Sequence, residues 1–316
     1  LAAVIIIIIF IPYTAPGFAA CGKLFSSLFG MNYMTAMIIS AVIIVAYTTA
    51  GGFFAASATD FVQSIIMTVA IVFVLVFSTI SAGGVDAVVE NAKALPGYLS
   101  LTASYIEDTG KSEPYNLLHI ITTLSWGLGY FGMPHILLRF MAIEDEKKLK
   151  LSRRVASIWV VIAMAMAVLI GIVGRALSNT GLVDQLHGND TETIIVRVAH
   201  LLSTYGAFPA IMAGLILAGI LASTMSTADS QLLAAASSVS ENILREAFHL
   251  KISEKKSMLA ARLTVVGIAI LGIIIARNPD SSVFGIVSFA WAGFGAAFGP
   301  LVICSLFWKR TTLPGA

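Results

Sequence analysis

Long apolar stretches recur along the chain and are separated by short polar segments. About 20 predominantly apolar residues suffice for a helix to cross the hydrocarbon core of a bilayer. By that measure the pattern predicts eight spanning helices, over residues 1–28, 33–54, 58–82, 116–139, 152–176, 206–240, 258–276 and 283–308. The sequence therefore predicts an all-α polytopic membrane protein with the lipid bilayer as its surroundings.

Composition supports the membrane assignment and excludes other classes. The chain is 58% hydrophobic and 11% charged, whereas soluble domains are about 25% charged. Its mean hydropathy is +0.92. The formal net charge of +2 is too small to indicate nucleic acid as a partner. Cys21 and Cys304 both lie in or near apolar segments, so neither a disulfide framework nor a zinc site is indicated.

Basic residues predict the orientation of the chain in the membrane. Most Lys and Arg residues fall in three alternate connecting segments, 139–154, 245–262 and 309–310. The positive-inside rule assigns these segments to the cytoplasmic side. The segments 83–115 and 177–205 then face outward. Within the second of these, the apolar spacing of ETIIVRVAHLLS predicts a short helix lying along the membrane surface.

The predicted span 116–139 is not composed mainly of Leu, Ile and Val. Glycines, a proline and aromatic residues are concentrated in WGLGYFGMP, at Trp126, Gly127, Gly129, Tyr130, Phe131, Gly132 and Pro134. Unwound backbone at membrane depth survives only where it is buried in protein or lines a cavity. The span is therefore either a broken helix forming a substrate site or a kinked helix whose small residues permit close packing. GLGYFG also matches a dinucleotide-binding pattern, which we reject because no strand precedes it.

A second unusual span contains LASTMSTADSQ at 221–231. Hydroxyl and carboxylate oxygens are ligands for hard cations. Burying them at membrane depth without hydrogen-bond or cation partners costs several kcal/mol of free energy per group. Helical spacing aligns Ser226 with Asp229 and Ser230, and also with Ser223 and Thr227. The alternative is that these hydroxyls bond carbonyls one turn back, although this does not account for the buried carboxylate.

Asp60 is another carboxylate in an apolar setting, in AASATDFVQS. It is either a functional acid or an acid in the first turn of a helix capped by Thr59.

Three motifs closely resemble the sodium/solute symporter family, in particular its sodium/proline branch: WGLGYFGMPHILLRFMA, LASTMSTADSQLL and VSFAWAGFGAAFGP. The resemblance covers essentially the whole chain. It implies a five-plus-five inverted-repeat (leucine-transporter-like) fold, of which this chain resembles the third to tenth core helices. The expected domain is a single transmembrane transporter domain over 1–316, incomplete at its N-terminus and at its C-terminus.

The resemblance also implies a function and a location. The protein is expected to couple sodium (Na+) to the uptake of a small solute, L-proline, across a bacterial inner (plasma) membrane. The open alternatives are a sodium symporter for another small organic solute and a transporter-like membrane sensor. An enzyme is not expected, because the five His residues supply no HExxH-type ligands and no nucleophile–base pair is evident. Two polar regions also do not make the continuous pore of a channel.

Site residues follow from the resemblance position by position. Sodium is expected at the hydroxyls of Ser226 and Thr227, with the carbonyl of Ser223 nearby. A possible second cation would use Ser226, Asp229, Ser230 and Asp60. Because position 229 is serine in several relatives, the acid here either strengthens a cation site or takes a proton.

Substrate contacts are implied at four positions. They are Trp126, Tyr130 and Pro134, which share one helix face, and Tyr13, which matches a tyrosine of the proline branch without an assigned role.

Overall fold

The computed structural model describes residues 1–107, 109–280, 282–312 and 315, with the side chain of residue 55 excepted. Within this part the chain is predominantly helical. The α-helices are α1 Ala2–Phe29, α2 Tyr33–Ser81, α3 Val85–Lys93, α4 Leu117–Gly132, α5 Pro134–Met141, α6 Leu149–Asn179, α7 Ile194–Ser203, α8 Ala207–Ser237, α9 Glu254–Ile275 and α10 Val283–Phe307. Short 3₁₀-helices occupy Glu146–Lys148 and Gly188–Thr193, and a π-helical stretch, Ser238–Ala247, continues α8.

A small β-hairpin lies between α3 and α4. Its strands are β1 Ala103–Ile106 and β2 Lys111–Pro114, which pair antiparallel with Ala103 opposite Pro114 and Ile106 opposite Lys111. This hairpin was not predicted, because hydropathy identifies spanning segments and carries little information about polar connections.

Seven segments of the described chain are long and apolar enough to cross a membrane. They correspond to seven of the eight predicted spans. The remaining predicted span, 116–139, is divided between α4 and α5 at Met133, whose backbone is extended (φ −82°, ψ 108°). Pro134 occupies the start of α5, where its missing N–H costs no helical hydrogen bond. The span is therefore a broken helix.

The predicted spans 33–54 and 58–82 both lie in α2, which is interrupted at Gly52 (φ 63°, ψ −168°). A positive φ of this kind favours glycine because no Cβ clashes with the backbone. Thr59 and Asp60 lie beyond this interruption, inside the helix, and the Thr59 hydroxyl donates back to the Ala56 carbonyl (2.9 Å). The interpretation of Asp60 as a first-turn acid capped by Thr59 is therefore wrong.

The described chain divides into two compact units. The first unit contains residues 1–64, 126–149 and those from 221 onward, and the second contains 65–125 and 150–220. In the first unit, α1 packs against α9 and α10, around a core that includes Phe10, Phe18 and Phe294. Gly272 of α9 permits this approach, because a Cβ there would strike Thr14 and Phe18 of α1.

The second unit has its own core, which includes Val74, Ile170, Leu177 and Ile216. The short helix predicted within ETIIVRVAHLLS is observed as α7, whose Val198 side chain is fully buried. Its placement along the membrane surface stays a prediction.

Candidate functional site

Aromatic side chains gather beside the break between α4 and α5, within the first unit. The Trp126 ring stacks on Trp291 of α10, with centroids 5.4 Å apart and planes 23° apart. The Trp126 ring also stacks on Phe284, with centroids 5.5 Å apart and planes 7° apart. Tyr130 meets Trp291 edge-on, at 4.6 Å and 85°. Edge-to-face and offset-stacked pairs at these separations are favourable arrangements of ring quadrupoles, so the two predicted residues of α4 share one well-defined partner.

Tyr13 of α1 joins the same group through a hydrogen bond. Its buried hydroxyl accepts from Nε1 of Trp291 at 2.7 Å. Three of the four predicted substrate residues, Tyr13, Trp126 and Tyr130, therefore meet at Trp291. We call these four side chains the aromatic cluster.

Trp291 was not among the predicted site residues. The signal available was its position in FAWAGFG, where a tryptophan sits among small residues within a recognised motif. No spacing along the chain connects it to Trp126, because the two residues lie on helices far apart in sequence.

Glycines of α4 explain how this helix reaches α10. A Cβ on Gly129 would strike the Trp291 ring, and a Cβ on Gly132 would strike the backbone at Phe294. Both interpretations of this span therefore apply: the helix is broken at Met133, and its small residues permit close packing. Pro134, the fourth predicted substrate residue, begins α5 immediately after the break.

His135 follows Pro134 and was also missed. Its ring centroid lies 5.8 Å from that of Phe10 and 5.9 Å from that of Tyr13. Its Nδ1 is buried and has no hydrogen-bond partner within the described residues. The ring therefore extends the aromatic cluster toward α1 and leaves one polar atom facing the interior.

The oxygens predicted for sodium lie together on α8. The hydroxyls of Ser226 and Thr227 both donate to the Ser223 carbonyl, at 3.2 and 3.0 Å. This is the one-turn back-bonding that formed the alternative interpretation. The same geometry places three neutral oxygens around one point on the helix surface, and such oxygens suit a hard monovalent cation. Within the described residues, no group of three or more His, Cys, Asp or Glu could hold a metal ion.

Asp229 is fully buried and has hydrogen-bond partners on both oxygens. Tyr47 of α2 donates to Oδ2 at 2.8 Å, and Ser230 donates to Oδ1 at 3.3 Å. The Tyr47 hydroxyl also lies 3.1 Å from the Met225 carbonyl. Tyr47 was not predicted as a site residue, and the sequence gives it no distinguishing pattern.

Arg139 connects this carboxylate to Asp60. Its Nη2 donates to Asp60 Oδ2 and, at 2.7 Å, to the hydroxyl of Ser230. Its Nη1 donates to Ser57 at 2.7 Å, and its guanidinium lies 5.3 Å from the centroid of the Phe53 ring. The predicted residues Asp60, Asp229 and Ser230 are thus brought together, with a guanidinium between them. We call Tyr47, Asp60, Arg139, Asp229 and Ser230 the polar network.

Arg139 was predicted among the basic residues of a cytoplasmic connection, and its position relative to the membrane stays a prediction. The residue lies inside α5, which continues to Met141, and its charge is used in the polar network. A cavity of about 510 Å³ adjoins the network and is lined by His135, Arg139, Ser230 and Glu241, among mostly apolar side chains.

Comparison with known proteins identifies the family. The sequence model of the sodium:solute symporter family matches residues 1–316. The osmoregulated proline transporter OpuE of Bacillus subtilis is 39% identical over 314 residues, which are 99% of this chain and 60% of that protein. Sodium/proline symporter 2 of Staphylococcus saprophyticus is 39% identical over 315 residues, 99% of this chain and 58% of that protein. The sodium/proline symporter of Escherichia coli is 37% identical over 321 residues, 100% of this chain and 60% of that protein.

A solved structure gives the same fold. It is the substrate-bound outward-open state of a Na+-coupled sialic acid symporter, with a TM-score of 0.76 and 19% identity, covering 98% of this chain and 63% of that chain. The predicted fold class, an all-α polytopic membrane protein with the inverted-repeat architecture, is thereby confirmed. The chain spans about 60% of the length of the curated relatives that it matches. On these grounds, the chain belongs to the sodium:solute symporter family.

Proposed function

We propose that this protein is a secondary transporter that couples sodium to the uptake of L-proline across a bacterial plasma membrane by alternating access. The observation that carries the proposal is the aromatic cluster beside the α4–α5 break, in a chain whose relatives at 37–39% identity are named as proline transporters. Membership of a symporter family supports transport rather than enzymatic activity.

The aromatic cluster suits a small apolar ring with a charged end. Flat indole and phenol faces at Trp126, Tyr130 and Trp291 present apolar area with few rotatable bonds. The Tyr13 hydroxyl, held by Trp291, supplies a polar group at the cluster's edge. The break at Met133 frees backbone groups near Pro134, and such helix ends in transporters commonly bind the polar groups of substrates.

Sodium is proposed to bind at Ser226, Thr227 and the Ser223 carbonyl, with further ligands from helices that belong to the whole transporter. Sodium and solute that both stabilise one arrangement of the protein are coupled thermodynamically, and each raises the affinity for the other. Gradient-driven uptake follows, because release of sodium on the cytoplasmic side also weakens solute binding.

A second positive charge is proposed at Asp229. The polar network holds two carboxyl groups, Asp60 and Asp229, but one guanidinium, Arg139. An uncompensated carboxylate in a fully buried position is expensive. Either a second cation bound by Asp229, Ser230 and Asp60 or a proton on Asp229 would balance the charge.

The proposed transporter domain extends beyond residues 1–316, since the matched relatives are longer. The test is uptake of radiolabelled L-proline by the full-length protein in liposomes, with and without an inward sodium gradient. We expect gradient-dependent uptake that unlabelled proline suppresses more strongly than other amino acids. Suppression by a different solute would identify a symporter for that solute. Absence of any sodium-dependent solute uptake would contradict transport and favour a sensor.

A further inference from the structure

A polar cavity of about 230 Å³ lies in the second unit, whereas the aromatic cluster and the polar network belong to the first. Tyr98, Arg175, Ser178 and Gln185 provide polar atoms around it, and Gly171 of α6 provides an open wall. The elements that frame it belong to the end of α6 and to the segments 83–115 and 177–205, which the charge pattern assigns to the outer side. The proposed transport function assigns no role to these residues.

Arg175 has hydrogen-bonding capacity that its neighbours do not satisfy. Its Nε is buried and has no hydrogen-bond partner within the described ranges. Its Nη1 reaches Glu107 at 3.5 Å, the outer limit of a hydrogen bond, and Glu107 also faces His187 at 3.7 Å. Tyr105 packs against the guanidinium, 5.3 Å from the ring centroid. Because a guanidinium carries five N–H donors, the Nη donors beyond the Glu107 contact remain for a ligand.

The other polar groups of the cavity have largely committed their protons. Ser178 donates to the Asp184 carbonyl at 3.3 Å, and Gln185 donates to Asn179 at 2.8 Å. Burial raises the pKa of the Tyr98 phenol, although the Arg175 charge acts in the opposite direction, so the phenol is a neutral donor at physiological pH. The donors left for a ligand are therefore the Tyr98 hydroxyl and the Arg175 guanidinium, a pair whose chemistry suits an anion.

We propose that this cavity binds a small carboxylate through Arg175 and Tyr98. A planar guanidinium binds a carboxylate with two parallel hydrogen bonds, and such charge-assisted bonds are about twice as strong as neutral ones. The volume accommodates an anion the size of acetate or of a small amino acid. The carboxylate has two sources, the transported solute itself or another organic acid outside the cell, and the experiment separates them.

The experiment measures thermal unfolding of the full-length protein in detergent while sodium acetate replaces sodium chloride at constant sodium. A ligand that binds only the folded state raises Tm in a saturable way. We expect this rise in the wild type. In Arg175→Gln we expect the half-saturating acetate concentration to increase at least tenfold.

Arg175→Gln also loses the contacts with Glu107 and Tyr105, so a second variant keeps the arginine. A Cβ at Gly171 meets no atom within 4 Å, so Gly171→Leu has room to extend into the cavity while the arginine is kept. It is expected to abolish the acetate-dependent rise. Gly214→Leu is the matched control, since Gly214 has equally open surroundings in α8 and does not line the cavity. It should retain the wild-type rise.

A parallel titration with L-proline identifies the source. If the solute occupies the cavity, proline binding falls from two sites to one in Gly171→Leu. If another acid is the ligand, the proline stoichiometry stays the same while the acetate effect disappears. The proposal is overturned if the wild type shows no saturable rise, if both pocket variants keep it, or if chloride and acetate act alike.

Discussion

The indole N–H of Trp291 donates a hydrogen bond to the Tyr13 hydroxyl across 2.7 Å, joining residues 278 positions apart in the chain. This bond fixes the indole ring, which also contacts the rings of Trp126 and Tyr130. The orientation of the proposed solute pocket therefore depends on a donor and an acceptor that come from opposite ends of the described chain.

Loss of this bond should weaken solute recognition. Trp291→Phe removes the donor and Tyr13→Phe removes the acceptor, and each should raise the KM for proline uptake roughly fivefold, since such a bond contributes about 1 kcal/mol net. The double variant should be little worse than either single one, because the two residues act through one interaction.

The control for this pair is Tyr33→Phe. Tyr33 donates a bond of similar length, 2.6 Å, to the Ala276 carbonyl, outside the aromatic cluster. This variant should lower Tm and leave KM unchanged. Wild-type KM values in both cluster variants would show that the bond does not shape the pocket.

Close packing of α4 on α10 makes Gly132 sensitive to any side chain. Gly132→Ala places a Cβ against the Phe294 backbone, which cannot move as a side chain does, and overpacking of this kind costs about 1–3 kcal/mol. Gly127→Ala, on the same helix, meets nothing within 4 Å. It should be neutral or slightly stabilising, because alanine favours helix. Unfolding in detergent should separate the two variants, and equal Tm values would contradict the observed packing.

The ion pair between Arg139 and Asp60 should stabilise the first unit. Arg139→Gln leaves both carboxyl groups of the polar network without their guanidinium. Because the Arg139 and Asp60 side chains are 33% and 21% exposed, water moderates the effect, and we expect a loss of about 2 kcal/mol, below the 3–5 kcal/mol of fully buried pairs. Adding Asp60→Asn should recover part of it.

The matched control for that experiment is Lys148→Gln. Lys148 pairs with Glu144 at 3.5 Å on an exposed surface, where pairs contribute about 0–1 kcal/mol. A Tm for Arg139→Gln no lower than that of this control would contradict a structural role for the Arg139–Asp60 pair.

Features that depend on one local segment could be predicted from the sequence, whereas contacts between residues distant in the chain could not. Membrane spans could be predicted because transfer of a segment into hydrocarbon depends on its own composition. The break at Met133 was also accessible, since Gly132 and Pro134 act on the local backbone. The hydroxyl pattern of 221–231 could also be recognised, because its residues are close together in one segment.

Pairing between distant residues could not be read from the sequence in this way. Arg139 meets Asp60 across 79 positions, and hydropathy alone placed it at a membrane edge. A long basic side chain at the end of a predicted span has two outcomes, extension to the interface or neutralisation by a buried acid, and only the packing of α5 against α2 decides between them. Trp291 and Tyr47 were missed for the same reason.

Removal of one proposed sodium ligand should change the sodium dependence of uptake. Ser226→Ala or Thr227→Ala in the full-length protein should raise the sodium concentration for half-maximal uptake by tenfold or more, because about 1.4 kcal/mol of lost binding is a factor of ten. Ser238→Ala is the control and should behave as the wild type, because it removes a hydroxyl that donates one turn back (2.9 Å to Ala234) at the start of the π-helical stretch. Unchanged sodium dependence in both test variants would exclude this site.

Asp229 gives the sharpest test, because its two hypotheses predict different behaviour. Asp229→Asn keeps the shape of the side chain and leaves an oxygen for the bond from Tyr47 (2.8 Å), but it removes one negative charge. If Asp229 binds a cation, this variant should lower sodium affinity or the sodium-to-solute stoichiometry at pH 7 and above. If it carries a proton, sodium dependence should stay the same and the pH profile of uptake should flatten.

We favour the cation, because Ser226 and Ser230 flank the carboxylate in sequence and supply further oxygens, while Arg139 neutralises one of the two acids in the network. Asp86→Asn, an exposed acid in the first turn of α3, is the control and should leave both sodium and pH dependence unchanged. Tyr47→Phe removes the hydroxyl that donates to Asp229. Whichever of the sodium dependence or the pH profile changes in Asp229→Asn should change in the same direction in Tyr47→Phe, by a smaller factor.

If Asp229→Asn retains both the wild-type sodium dependence and the wild-type pH profile, the carboxyl has a purely structural role, as the acceptor that holds Tyr47 and Ser230 in place.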